Sequence, residues 1–186
     1  MDRRRIARYL PETYQGAVRD DNPLGALLAV MEAMHAPAEA ALDHLDGYVD
    51  PHRAPDPFVV MLAAWMDLDR YLDWTGGRPG AGEARFAAGL PRLRLLVAEA
   101  AALSRSRGTR AALERFLALA TGVDGVTVEE NPPGPDGARR PFHLRVTAPA
   151  SARRLERLIR RIVDEERPAH ATYEVAFEPF GKPPGG

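Results

Sequence analysis

Beyond Gly122 the apolar residues of this chain stop recurring every three or four positions and begin to alternate, and this switch restricts the fold more than any other sequence feature. A spacing of three and four lines one face of a helix; alternation lines one face of a strand. Before the switch, Leu24, Leu27, Leu28, Met31 and Met34 keep the helical spacing. So do Leu93, Leu96, Val97, Ala100 and Leu103, then Leu113, Phe116, Leu117 and Ala120. After it, Val126 to Glu129, Phe142 to Thr147 and Tyr173 to Phe177 alternate. One more helical stripe, Leu155, Leu158, Ile159, Ile162 and Val163, falls before the last of these. The pattern predicts an α+β protein. A helical N-terminal half of three to four helices is followed by a small helix-β-β-α-β unit with a three-stranded, mainly antiparallel sheet. The boundaries this implies are a helical region over 1–106, a small α+β domain over 107–180, and a disordered tail over 181–186 made mostly of glycine and proline.

Local punctuation refines that outline. Asn22 caps a helix that Pro23 opens, and Pro37 is expected to kink or break it before Leu42 and Leu45 resume the same face. Pro51, Pro55 and Pro57 exclude regular structure from the turn between Asp50 and Pro57. The helix that follows, Phe58 to Met66, is apolar nearly all round, which suits a helix that is buried or waiting for a partner. Residues 73–82 read as a flexible glycine-rich connector. The next helix should run from about Glu83 to Ser104, with Pro91 bending its start. Thr109 caps another helix and Gly122 closes it; Ser151 caps the last one and Pro168 stops it.

Composition removes several function classes. With 186 residues and a formal net charge of −1, the chain lacks the basic balance of a dedicated nucleic-acid binder. It has no cysteine, hence no disulfide, thiolate metal site or cysteine nucleophile. Arg8, Glu12, Gln15 and Arg19 interrupt the N-terminal stretch where an export signal would need an apolar run. No run approaches the roughly 18 apolar residues of a membrane span. The chain is expected to be soluble, without an export signal of its own.

Catalytic and metal motifs fail on inspection. His35, His44, His52, His143 and His170 form no metal-binding spacing. Asp67, Asp69 and Asp73 imitate the start of a calcium loop, but Leu72 and Arg78 stand where glycine and glutamate are required. The run from Gly76 to Gly82 follows a helix and lacks the Lys-Ser or Lys-Thr of a phosphate loop. Ser104, Ser106 and Ser151 sit in no nucleophile elbow. The expectation is a non-enzyme with no catalytic residues, no metal and no cofactor. The rival reading is a small nucleic-acid-binding or regulatory module that uses the arginine-rich helix 151–167. There Arg153, Arg154, Arg157, Arg160, Arg161 and Arg167 are largely offset by Glu156, Asp164, Glu165 and Glu166.

Four segments stand out in this order: Tyr9-Leu10-Pro11-Glu12-Thr13-Tyr14; Asp50-Pro51 and Ala54-Pro55 running into Leu62 to Met66 with Trp65; Arg107-Gly108-Thr109 followed by Leu113, Phe116, Leu117 and Gly122; and Glu166 to Tyr173 with Pro168 and His170. Together they resemble the phage tail protein I family of contractile tails and related injection particles. The last departs from the family's Pro-Ala-His-Thr by inserting Ala171 before Thr172. The resemblance implies a structural subunit of a baseplate wedge, without catalysis, in a phage tail or tail-like particle assembled in the cytoplasm. Its partners would be a larger wedge subunit in more than one copy, the hub or spike, and sheath-adjacent proteins, with neither membrane nor nucleic acid involved. Residues 1–106 would then be the partner-binding region. The candidate interface or motif residues are Tyr9, Leu10, Pro11, Tyr14, Asp50, Pro51, Pro55, Trp65, Arg107, Gly108, Thr109, Pro168 and His170. Trp65 is either an anchor for a partner or a core residue, and Arg107 is left to pair with a carboxylate of this chain or of a partner.

Overall fold

A computed structural model of the chain describes residues 4–19 and 21–178; the expected disordered tail, 181–186, lies outside them. Backbone contacts divide the chain into two compact units, one ending at Gly47 and one beginning at Tyr48.

The first unit is helical. Two short helices, α1 (Arg4–Ala7) and α2 (Glu12–Gln15), precede the 21-residue α3 (Pro23–Asp43). Asn22 caps α3 as expected, its side-chain oxygen accepting the Gly25 N–H at 2.8 Å. Pro37 does not interrupt α3, which continues to Asp43. Proline removes one N–H and crowds the preceding turn. Here the turns around it are built from Ala33, Ala36, Ala38, Ala40 and Ala41, the strongest helix formers, and Pro37 itself faces solvent. A short α4 (Leu45–Val49) follows.

The second unit begins with the proline turn. The Asp50 carbonyl accepts the N–H groups of Arg53 and Ala54, and its carboxylate accepts that of His52 at 2.9 Å, so the turn is tied to itself. It delivers α5 (Asp56–Trp65), entered through an extended Pro55 with ψ 148°. The glycine-rich stretch is not a flexible connector. It is the loop of a two-stranded antiparallel hairpin, β1 (Asp73–Trp74) against β2 (Ala84–Arg85), closed by the Thr75 hydroxyl accepting the Glu83 N–H at 2.9 Å. α6 (Leu90–Arg105) therefore starts later than its apolar spacing suggests, with Pro91 in the first turn, where its missing N–H costs nothing. α7 (Arg110–Thr121) ends at Gly122 in the left-handed conformation, φ 67°.

The main sheet has the order β3-β4-β5, from β3 (Thr127–Glu130), β4 (His143–Pro149) and β5 (Thr172–Glu178). Between β4 and β5 the chain forms a 3-10 stretch (Ala150–Leu155) and α8 (Glu156–Glu166). Leu155 precedes α8 without any side-chain cap, so Ser151 does not cap that helix; it lies inside the 3-10 stretch. The α+β class stands as the sequence predicts. The sheet itself is mixed and not mainly antiparallel. β3 and β4 are antiparallel, but the crossover through α8 returns β5 parallel to β4 over seven residues.

Leu62, Leu96, Phe116, Leu117, Val146, Ile159 and Ile162 belong to one continuous core. α5 and α6 thus share their interior with α7, α8 and one face of the sheet. Ile159 and Ile162, at 0 % exposure, are pressed between α8 and the strands.

Candidate interaction site

Two kinds of surface could carry function: apolar side chains left in solvent, and charged groups that join separated parts of the chain. The first kind dominates the N-terminal unit. Tyr9 lies in the turn after α1 and is 89 % exposed; Tyr14, on α2, is also exposed. Between them Leu10 is half-buried, its carbonyl accepting from the Gln15 amide at 2.8 Å, while Pro11 opens α2 with ψ 143°. On α3 the side chains of Leu27, Val30 and Met34 face solvent, Met34 at 76 % exposure, and Gly25 and Leu28 are its buried residues. Large apolar groups repeated along one helix are uncommon on a surface meant to stay wet.

Trp65 is the corresponding feature of the second unit. As the last residue of α5 it is 67 % exposed, and its neighbour Met66 is exposed as well. Trp65 is therefore not a core residue. Asp50, Pro51 and Pro55 act behind it on the backbone. Arg94 of α6 donates to the Pro51 carbonyl at 2.6 Å and to Asp56 at 2.8 Å, which ties the proline turn to α6 and fixes where α5 begins. The sequence pattern does not single out Arg94, because its partners are far away along the chain.

The third and fourth motif segments converge. Arg107 ion-pairs with Glu166 at 3.0 Å and donates to the Glu165 carbonyl at 3.2 Å, so its carboxylate comes from this chain. Gly108 takes φ 81°, the left-handed region, which lets the chain reverse into α7. The Thr109 hydroxyl accepts the Ala112 N–H at 3.2 Å and donates to the Ser106 carbonyl at 2.8 Å, capping α7. Glu166 also accepts from Tyr71 at 2.6 Å and from Arg70 at 3.1 Å, with its own side chain only 12 % exposed. One carboxylate therefore fastens the end of α8 to the start of α7 and to the segment after α5. Burial, then the bond to Glu166, pushes the Tyr71 hydroxyl well above the usual tyrosine range. Pro168 ends α8 by holding Arg167 extended, ψ 152°. Exposed His170 stands edge-on to Phe142, ring centres 5.1 Å apart, beside a groove also lined by Gly108, Thr109 and Pro168.

Arg153, Arg154, Arg157 and Arg160 of the arginine-rich stretch are exposed, but several of its arginines are engaged within this chain. Arg160 pairs with Glu156, Arg161 with Asp73 and Arg167 with Asp164, and Arg153 lies over the Phe177 ring. Among the described residues no group of three or more acidic or histidine side chains could hold a metal ion, and no helix is long and apolar enough to cross a membrane.

A family model described as Phage tail protein (Tail_P2_I) matches residues 23–170. The chain belongs to that family. No curated protein matches it. The match makes this a structural protein of phage tails, one that interacts with other tail proteins as a component of the particle. Within this phage tail protein, the matched span runs from α3 to His170 and so contains the second and third motif segments whole and the fourth as far as His170. Tyr9 to Tyr14 fall outside it. The long-range bond Arg107–Glu166 lies wholly within it, and its two ends are the residues that open the third and fourth segments.

Proposed function

We propose that this tail protein is a baseplate wedge subunit of a contractile phage tail or tail-like injection system. It assembles with more than one copy of a larger wedge subunit and links that assembly to the hub or spike and to sheath-adjacent proteins. Residues 1–106 supply most of the partner contacts, through Tyr9, Tyr14, the solvent side of α3 and Trp65. Residues 107–180 dock or cap. The observation that carries this reading is the row of apolar side chains along α3, which a monomer would leave in water at a cost of about 25 cal/mol for each Å2 it fails to bury. A mechanical role suits the remaining motif residues, because Asp50, Pro51, Pro55, Arg107, Gly108, Thr109 and Pro168 set backbone directions and join helices. Forces passed through such a subunit would run along these ties.

Isolation of intact particles tests the proposal. The chain should co-purify with sheath, tube and spike proteins. Met34→Glu together with Trp65→Ala should remove it from them while the isolated variant keeps the wild-type circular dichroism spectrum. Particles that lack the chain and still contract normally would refute a wedge role.

A further inference from the structure

The two edges of the main sheet are finished differently. β3 is four residues long, and the next residues are Asn131, in the left-handed region at φ 51°, and then Pro132 and Pro133. Its outward amide at Val128 is taken by the Glu114 carboxylate of α7 at 2.8 Å. That edge is blunted by shortness, proline and a capping side chain, the usual protections against stray pairing. β5, at the other edge, runs seven residues in unbroken register with β4 and contains no proline, glycine, lysine or bulge.

Among the described residues no strand pairs with the outer side of β5. In the sequence Pro179 follows β5 directly, and Pro183 and Pro184 come soon after. The direction of the free groups is fixed by one bond. The Thr172 N–H donates to the Phe142 carbonyl at 2.8 Å, so Thr172, Glu174 and Ala176 point their backbone groups at β4. The N–H and C=O groups of Tyr173, Val175 and Phe177 consequently point away, toward the open side.

We propose that the open edge of β5 accepts a strand from another protein, one carrying lysine or arginine at alternate positions. The charge comes from the outer face of the sheet. There Glu129, Arg145 and Glu174 stand side by side on β3, β4 and β5, with Arg145 bonded to Glu174 at 2.6 Å and to Glu129 at 3.4 Å. Signs alternate from strand to strand: Glu174, which Arg140 and His143 also approach, stands with Glu178 as the acid at the edge position. A cationic strand continues the ladder. A second copy does not. Antiparallel pairing of β5 with itself about Val175 would set the Glu174 and Glu178 carboxylates of both copies diagonally across one edge. This surface is separate from the apolar helices, so its test stands whether or not those bind a wedge partner.

The probe is an acetylated heptapeptide of alternating lysine and valine, added to the full chain and followed by amide hydrogen exchange. Exchange at Tyr173, Val175 and Phe177 should slow about tenfold or more, one added hydrogen bond being worth roughly that factor, with little change at Thr172, Glu174 and Ala176. The same peptide N-methylated on alternate amides, or carrying glutamate for lysine, should give no protection. Val175→Pro should abolish the effect, because it removes an outward N–H without breaking a bond to β4; the N-methylated peptide serves the same purpose with the protein unchanged. Absence of protection would overturn the proposal. Equal protection by the glutamate or N-methylated peptides, or protection that grows with protein concentration alone, would overturn it too.

Discussion

The chain treats apolar side chains in two opposite ways. From α5 onward they converge: Leu96, Leu117, Val146 and Ile159 are fully enclosed, and even the segment after α5 is fastened by Tyr71 to Glu166. On α3 they are displayed, with Leu27, Val30 and Met34 in solvent along a helix whose buried positions are Gly25 and Leu28. Both regions are rich in leucine and alanine, so those residue types do not separate them. What separates them is the presence of a second layer. α7, α8 and a sheet close over the one; within its own unit the other has no such layer over Leu27, Val30 and Met34. A hydrophobic stripe therefore does not by itself say how much of it the surrounding elements bury.

Truncations in the two regions should part most widely. Ile159→Ala should lower unfolding free energy by about 2–5 kcal/mol, the usual cost of deleting a fully enclosed branched chain. Leu27→Ala on α3 should move it by less than about 0.5 kcal/mol. Denaturant titration of both variants decides the matter, and equal losses would erase the distinction.

A smaller effect belongs to the polar tie inside the closed region. Glu166→Ala leaves Arg70 with Asp67 and Arg107 with the Glu165 carbonyl, but removes the carboxylate that joins them and the acceptor of Tyr71. The expected loss is on the order of 2–3 kcal/mol, at the lower end for a buried pair because Arg107 is 47 % exposed. Glu166→Gln keeps an acceptor for Tyr71 and should recover part of it in thermal unfolding.

The same tie predicts a pH response. The Tyr71 hydroxyl is held above its ordinary value, so the folded state keeps a proton that the unfolded state gives up first. Its stabilising contribution is complete at neutral pH and declines as pH climbs past the ordinary tyrosine value of about 10. Tyr71→Phe should flatten that alkaline slope.

The least costly change is on the sheet surface. Arg145 bonded to Glu174 holds the Glu174 carboxyl below the usual carboxylate range. The contribution of Glu174 is present above that range and disappears as pH falls through the folded-state value. Arg145→Gln should move the Glu174 titration upward in a carboxyl-detected NMR experiment and leave global stability nearly untouched, because the pair is exposed. An unmoved titration would show that Arg140 and His143, which also approach Glu174, suffice.

How far these features could be read in advance depended on how local their causes are. Asn22, Thr109 and Gly122 act within a single helical turn, and all three do what their residue types dictate. Pro37 did not break α3, which continues through alanine-rich turns to Asp43. Ser151 lost its expected role because the chain winds first into a 3-10 stretch, a preference set by the packing of Ala152 and Leu155 and not by the serine. The parallel return of β5 and the hairpin at 73–85 depend on partners across the fold. Glu166 is the clearest such case: in the sequence it is one of three consecutive acids, and only folding brings Arg70, Tyr71 and Arg107 to it. Trp65 could be placed on its helix from periodicity, but its side, inward or outward, could not, because α5 is apolar all round.

Sedimentation velocity of the purified full chain, across a hundredfold range of concentration, tests most directly whether α3 and Trp65 are there to be covered. The account predicts association that strengthens with concentration and is suppressed by Met34→Glu with Trp65→Ala, with the second unit's fold unchanged. A monomer at every concentration, indifferent to those substitutions, would contradict it.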